Sequence, residues 1–246
     1  MNYHWNWSIF FAETASGGGT YLGWILSGLK ITIGLSLSAW VMALLVGISM
    51  GILRTVPNRW LSCIAAVYVE MFRNIPLLVQ LFIWYFVLPE LLPTSIGDAY
   101  KGLNPLLQQF LAAWICLGLF TGARVCEQVR SGINALPRGQ KSAGLALGFT
   151  LPQTYRYVLL PMAIRIILPS LTSEFLNIFK NSAVASTIGL MELAAQSRQL
   201  SDYTAQSYES FIAITLAFLM INAIVLTLMH RIEAKVRIPG AVGGER

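Results

Sequence analysis

The chain has 246 residues, of which 56% are hydrophobic and only 11% charged, with a formal net charge of +6. Soluble domains carry roughly 25% charged residues, so an aqueous surface is excluded and a multi-span membrane protein with one shared interior is expected. The basic excess does not point to nucleic acid, because it lies between apolar stretches and no aromatics interleave with it for base stacking.

The first ten residues contain no Lys or Arg, and Trp5, Trp7, Ile9, Phe10 and Phe11 stand where a secretory leader would carry its charges. Residues 1–20 therefore read as an interfacial segment on the outer face, with Gly17-Gly18-Gly19 as a flexible lead-in. About 20 apolar residues cross a bilayer. Ile31 to Leu53 is 23 residues without a charge, and apolar character reaches back to Tyr21, so the first span is placed at 21–53. The second, 60–92, is expected to break near Asn74-Ile75-Pro76. Glu70 and Arg73 precede that break at a spacing that allows a structural ion pair on one helix face. The third span, 104–134, continues as helix past Arg124, with Glu127 and Arg130 as a second pair at the same spacing. The fourth, 162–188, is interrupted by Pro161, Arg165, Pro169, Glu174 and Lys180. Broken backbone at membrane depth survives only against protein or a water-filled cavity, so this span is expected in the interior, broken near Pro169. The fifth, 210–230, has no Asp, Glu, Lys or Arg, and Arg231, Lys235 and Arg237 follow it ahead of a tail, 238–246.

Five spans put the termini on opposite faces. Arg54 and Arg59, the stretch from Arg130 to Arg165 with five basic and no acidic residues, and the Arg231–Arg237 end all fall on one face. Cytoplasmic loops collect Lys and Arg, so the chain is read as N-out, C-in. Cys63, Cys116 and Cys126 lie in apolar stretches with no CxxC spacing and read as small packing residues.

The loop Pro137 to Pro152 separates the possible functions. Pro137 suits a helix start and Gly148 the left-handed position just past a helix end. Ser142, Ala143, Gly144 and Ala146 between them allow another backbone to approach closely, either this chain's own spans or a partner. This loop resembles the EAA loop of ABC importer permeases, in which Glu-Ala-Ala is followed by three residues, Gly, nine residues and Ile-x-Leu-Pro. Here Ser142-Ala143-Gly144, Gly148 and Val158-Leu159-Leu160-Pro161 stand at those spacings, with Ser142 in the place of the Glu. Tyr68 to Phe82, Cys126 to Arg130 with Leu136-Pro137-x-Gly139-Gln140, and Phe179-Lys180-Asn181-Ser182-Ala183 are similar to further signatures of the polar amino-acid permeases of that family. Val-Cys-Glu-Gln-Val-Arg and Arg-Thr-Val-Pro-Asn-Arg look most like its permeases for glutamate and aspartate.

The resemblance implies an all-α, five-span type I importer transmembrane domain over 21–237 in a bacterial inner membrane, with a coupling loop at 137–161. It implies an ATP-binding subunit gripping Gly139, Gln140, Ser142, Ala143, Gly144, Gly148, Leu160 and Pro161. A second permease subunit and a periplasmic amino-acid-binding protein complete the assembly, with lipid around it. The chain itself would do no chemistry and bind no cofactor, ATP and Mg being used by the partner. No Gly-x-x-x-x-Gly-Lys-Ser/Thr loop occurs in it. The expected substrate pathway comprises Arg124, Glu174, Lys180, Asn181 and Ser182. Arg124 has two open readings: a local pair with Glu127, or a guanidinium that receives a substrate carboxylate in bidentate geometry. Glu174 and Lys180 likewise either line the pathway or brace a broken helix.

Two other classes fit less well. An ion-coupled secondary transporter normally shows paired halves with matching broken helices, and none are visible. An intramembrane enzyme needs a His/Glu metal cluster or a Ser–His pair at depth, but His4 and His230 are both away from mid-span.

Overall fold

The computed structural model describes residues 3–15 and 17–236. Arg237, the tail 238–246 and the side chain of Arg138 lie outside the described residues. Among the latter the only extended pairing is one bridge between Glu13 and Thr20. The helices are α1 (Tyr21–Leu53), α2 (Arg59–Asn74), α3 (Leu77–Leu91), α4 (Thr94–Lys101), α5 (Pro105–Asn134), α6 (Arg138–Ala146), α7 (Leu151–Ile188), α8 (Leu193–Thr204) and α9 (Ser207–Val236). Four of them (α1, α5, α7 and α9) are long and apolar enough to cross a membrane, and the broken pair α2 and α3 makes a fifth span if counted together.

Local chemistry sets most of the boundaries. Asn58 caps α2, its Oδ1 accepting from the backbone N–H of Trp60 (3.0 Å) and Leu61 (3.3 Å). α2 ends because Ile75 precedes a proline and takes the extended backbone (φ −94°, ψ 131°) that such residues favour. α7 departs from expectation. Pro169 sits inside a continuous helix, Leu160–Asn181, with no break. Hydroxyls nearby bond the backbone, Thr172 to the Leu168 carbonyl (3.1 Å) and Ser173 to that of Pro169 (3.4 Å), the kind of support that lets spans carry proline. The irregular turns come at its ends instead: a π turn at Tyr155–Leu159 just before Pro161, and a 3-10 turn at Ser182–Ile188 closing on Gly189. The helix also begins at Leu151, so residues 151–161 of the 137–161 loop are its first turns.

The chain forms two compact units, the first of Met1–Ala39, Pro76–Leu117 and Ile178–Ala223, the second of Trp40–Ile75, Gly118–Asn177 and Ile224–Arg246. In the first, Leu35, Ile178, Leu190, Leu193 and Leu200 are fully buried. Glu192 is buried with them and caps α8, accepting from the N–H of Ala194 (2.9 Å) and Ala195 (2.8 Å) and from Thr32 Oγ1 (3.4 Å). Burial pushes its carboxyl above the ordinary carboxylate range, against the opposing pull of those donors. The N-terminal segment is tied down: Tyr3 donates to Glu209, and the Asn6 N–H donates to the same carboxylate at 2.7 Å. The glycine run is a turn rather than a loose lead-in. Gly17 and Gly19 have positive φ, and the Thr14 N–H bonds the Gly19 carbonyl at 2.8 Å, which closes the Glu13–Thr20 bridge.

The second unit is built around α5. Apolar side chains gain little by leaving lipid, so helices within hydrocarbon are held by close packing. Here glycines permit it. A Cβ on Gly47 of α1 would stand 2.6 Å from Val125 Cβ, and one on Gly51 2.6 Å from Val129 Cβ. Val125, Val129 and Ile133 of α5 join Tyr155, Leu159, Ala163 and Ile167 of α7 in one buried cluster, with Leu44, Ile48 and Ile52 of α1 packed against it. Tyr68 of α2 donates its hydroxyl to the Leu119 carbonyl at 2.7 Å.

Candidate translocation and coupling sites

Within the second unit α5 turns two faces to different surroundings. Ala123, Val125, Cys126 and Val129 are buried. Arg124, Glu127, Gln128 and Ser131, at i, i+3, i+4 and i+7, share the other stripe and line a cavity of about 540 Å³ together with Arg73, Arg130 and Glu174. Three arginines thus face two glutamates, and a fourth, Arg54, reaches in to 3.4 Å of Glu127. The balance around the cavity is cationic.

Its charges are unevenly paired. Arg130 binds Glu127 through Nε (3.1 Å) and Nη2 (2.8 Å), and Arg73 approaches the same carboxylate to 4.0 Å. The expected pairing of Arg73 with Glu70 is not formed. Glu70 accepts from Asn74 Nδ2 at 2.6 Å on its own helix, while the less exposed Glu127 draws Arg73 across to α5. Arg124 is not held by Glu127 either, that carboxylate being occupied. Its partner is Glu174 of α7, at 3.7 Å, too long for a hydrogen bond, and its guanidinium lies over the Phe120 ring at 4.9 Å. Arg124 is 42% exposed and Glu174 13%. Arg124 and Arg73 (50% exposed) are therefore the two loosely paired cations of the cavity, each in ion-pair range of a carboxylate but beyond hydrogen-bond distance.

Lys180, Asn181 and Ser182 belong to the first unit. Ser182 is fully buried and donates to the Phe179 carbonyl at 2.7 Å. Asn181 borders a small hollow with Leu77, Cys116 and Val184, and Lys180 is exposed. Gln128, Ser131 and Arg54 were not among the residues singled out from sequence, although the i, i+3, i+4, i+7 polar stripe that carries the first two is legible there.

The 137–161 loop is also in the second unit. α6 starts after Pro137, whose carbonyl accepts from the Gln140 N–H at 2.9 Å. It ends in a Schellman turn: the Phe149 N–H bonds the Gly144 carbonyl (3.2 Å), the Gly148 N–H bonds the Leu145 carbonyl (3.0 Å), and Gly148 has φ +86°. Gly144 is buried against Thr154, where a Cβ would come within 2.9 Å of Thr154 Cγ2. Ser142 and Ala143 are exposed. Gly139 has open space about it, and Ser142 shares a hollow of about 490 Å³ with Thr55, Lys141 and Tyr155. Leu160 and Pro161 follow the π turn of α7. Leu147, 78% exposed, leads a run of outward apolar side chains with Leu145, Phe149 and Tyr157. Such a patch on an otherwise polar loop marks a contact surface.

The chain is similar to known proteins along its length. Residues 43–238 match the family described as binding-protein-dependent transport system inner membrane component. The glutamate/aspartate import permease protein GltJ of Escherichia coli K12 is 58% identical over 246 residues, all of both chains. The arginine transport system permease protein ArtQ of Bacillus subtilis is 32% identical over 87% of this chain and 92% of its own. Among solved structures, an amino acid ABC transporter is 30% identical with a TM-score of 0.72, covering 87% of this chain and 95% of that one. A chain of the MetNI methionine ABC transporter, 19% identical, shares the fold at a TM-score of 0.73 over 88% of this chain and 98% of that one.

Proposed function

Since the chain belongs to the family of binding-protein-dependent transport system inner membrane components, we propose that it is the permease of an importer for acidic amino acids, glutamate and aspartate. The cavity carries this reading: Arg73, Arg124 and Arg130 outnumber Glu127 and Glu174. A dicarboxylate with one ammonium adds a net negative charge that such a lining would neutralise. Arg124 is the receiving group. Its fork gives two parallel N–H···O bonds to a carboxylate, and the 3.7 Å contact with Glu174 is weak enough to be exchanged for the substrate.

Transport itself follows from the other site. An ATP-binding subunit, using its own ATP and Mg, grips α6 and the turn that follows it through Leu145, Leu147 and Phe149. A second permease completes the pathway and an external binding protein delivers the substrate. Closure of the ATPases then rocks the spans between two discrete packings, a gated interface rather than a channel. No step in this scheme breaks a covalent bond on the permease. The chain is oriented N-out and C-in, with α6 in the cytoplasm.

The test is to purify the chain from its native membrane with whatever it binds, and to reconstitute that complex with its binding protein. Co-purification of an ATPase, with hydrolysis stimulated by glutamate and not by glutamine, is the expected result. A complex without an ATPase refutes the class, and one equally stimulated by glutamine refutes the substrate. In a Cys-free version, cysteines placed at Arg138 and Asp98 should label with an impermeant maleimide from opposite sides, and labelling of both from outside refutes the orientation.

A further inference from the structure

We propose that the hollow where α1 gives way to α2 binds the phosphate headgroup of an anionic phospholipid, whose acyl chains lie along α2. The hollow is open, about 590 Å³, and is lined by Arg54, Asn58, Arg59, Ser62 and Cys63 among others. No carboxylate lines it, in contrast to the cavity at Arg124. Arg59 is exposed and enters no ion pair among the described residues. Arg54 gives one nitrogen to Glu127, and a guanidinium has five N–H donors, so others remain. Asn58 spends its oxygen on the α2 cap and keeps its amide nitrogen as a donor. The Ser62 hydroxyl already donates to the Arg54 carbonyl at 3.4 Å, and a concave surface that offers guanidinium and amide donors and no acceptor charge is suited to a phosphate monoanion.

The helix below the hollow supplies the second half of the argument. α2 buries Ala65, Val69 and Phe72 on one face. On another it exposes Trp60 (82%), Ile64 (59%), Val67 (61%) and Met71 (52%), a stripe at helical spacing that starts beside the cationic hollow. At about 1.5 Å per residue the stripe runs roughly 16 Å, close to half of the roughly 30 Å hydrocarbon core, which is the reach of one acyl chain. A free phosphate would use the hollow and ignore the stripe. A protein partner on the stripe would have to leave the arginines uncompensated or bring its own carboxylates. Head-on-tail chemistry of this length is that of a phospholipid in one leaflet, and basic pockets beside spans take such headgroups.

Cys63 gives a native probe: it is exposed, while Cys116 and Cys126 are buried. The intact transporter is purified and loaded with phosphatidylglycerol or phosphatidylcholine of matched chains, and the lipid retained per complex is counted by native mass spectrometry. In parallel, maleimide labelling of Cys63 is timed in bilayer discs of each lipid. Phosphatidylglycerol should be retained preferentially and should slow Cys63 labelling. Arg59→Gln should weaken both effects by about fivefold, the weight of one cation near an anionic surface, and Arg165→Gln, outside the hollow, should change neither. Three results overturn the proposal. One is equal retention of phosphatidylglycerol by Arg59→Gln. Another is protection of Cys63 by inorganic phosphate in phosphatidylcholine discs, which would make the hollow a simple anion site. The third is a Cys63 blocked in every lipid, as a second permease seated on the stripe would leave it.

Discussion

Gly148 offers a way to separate backbone conformation from contact at the coupling loop. Its φ is +86°, and nothing lies within 4 Å of the place a Cβ would occupy, so a substitution is felt through the backbone alone. An L-residue in the left-handed region costs about 1–2 kcal/mol, a β-branched one more, and Asn least, since its short polar side chain tolerates that region. One to two kcal/mol is a factor of about 5–30 in a local equilibrium. α6 has little margin to absorb it. At nine residues it is below the ~12–15 at which an isolated helix is even marginal, and the two Schellman bonds with the Gly144–Thr154 contact hold its end. The series is Gly148→Asn, Gly148→Ala and Gly148→Val, assayed in proteoliposomes as ATP hydrolysis with and without substrate-loaded binding protein, at equal membrane insertion. Stimulated hydrolysis should be near normal for Asn, down about fivefold for Ala and more than tenfold for Val. Wild-type activity in all three would refute a role for the turn. An equal loss in all three would refute the conformational argument, because added bulk and not φ would then be at fault.

Arg124→Lys keeps the charge and loses the fork, so glutamate uptake should fall, and Arg124→Gln should lower it by about tenfold or more, the worth of a charge-assisted bond. Substrate-free ATP hydrolysis measured beside it should hold, and a parallel fall of both would make Arg124 a structural partner of Glu174. In α1, Gly51→Ala should lower the thermal unfolding midpoint in detergent by the equivalent of about 1–3 kcal/mol, because its Cβ meets Val129 at 2.6 Å. Gly34→Ala, with open space at its Cβ, should be neutral or stabilising, and equal effects would refute close α1–α5 packing. For Glu192 the folded carboxyl titrates above its ordinary value, so its contribution is complete below that value, about 4.3, and is lost as pH rises through the folded one. The wild type should therefore lose stability as pH rises out of the acidic range, and Glu192→Gln should flatten that slope, thermal midpoints across the range being the measurement. An unchanged slope would refute the assignment.

What could be read from the residues depended on how local the cause was. The end of α2 rests on Ile75 preceding Pro76, and the α6 stop on Gly148, each a rule about one or two residues. Pro169 shows the limit: whether a proline breaks a span depends on which hydroxyls and neighbours support the backbone around it, and that is tertiary information. Glu70 and Arg73 fail for the same reason, since local spacing permits their pair but a carboxylate on another helix competes for the arginine. The stretch from Glu192 to Glu209 is polar and mixed in charge, yet both glutamates are fully buried, one capping α8 and the other clamping the N-terminal residues. The partners of Glu209, Tyr3 and Asn6, are distant in sequence, whereas the Glu192 cap is local and only Thr32 is remote. Gly47 and Gly51 are a different case. Two small residues four apart mark close helix contact, but a reading by apolar length passes over them.

Glu127 is shared by guanidiniums that follow α1, lie on α2 and lie on α5: Arg54, Arg73 and Arg130. A private ion pair is a latch, since separating it strands a charge where water is scarce. A communal counter-ion behaves as a bearing. When α2 or the end of α1 drifts, its arginine loosens while Arg130, on the same helix as Glu127, keeps the carboxylate paired. Small shifts of α1 or α2 against α5 therefore strand no carboxylate, and close packing such as Gly51 against Val129 is what resists them.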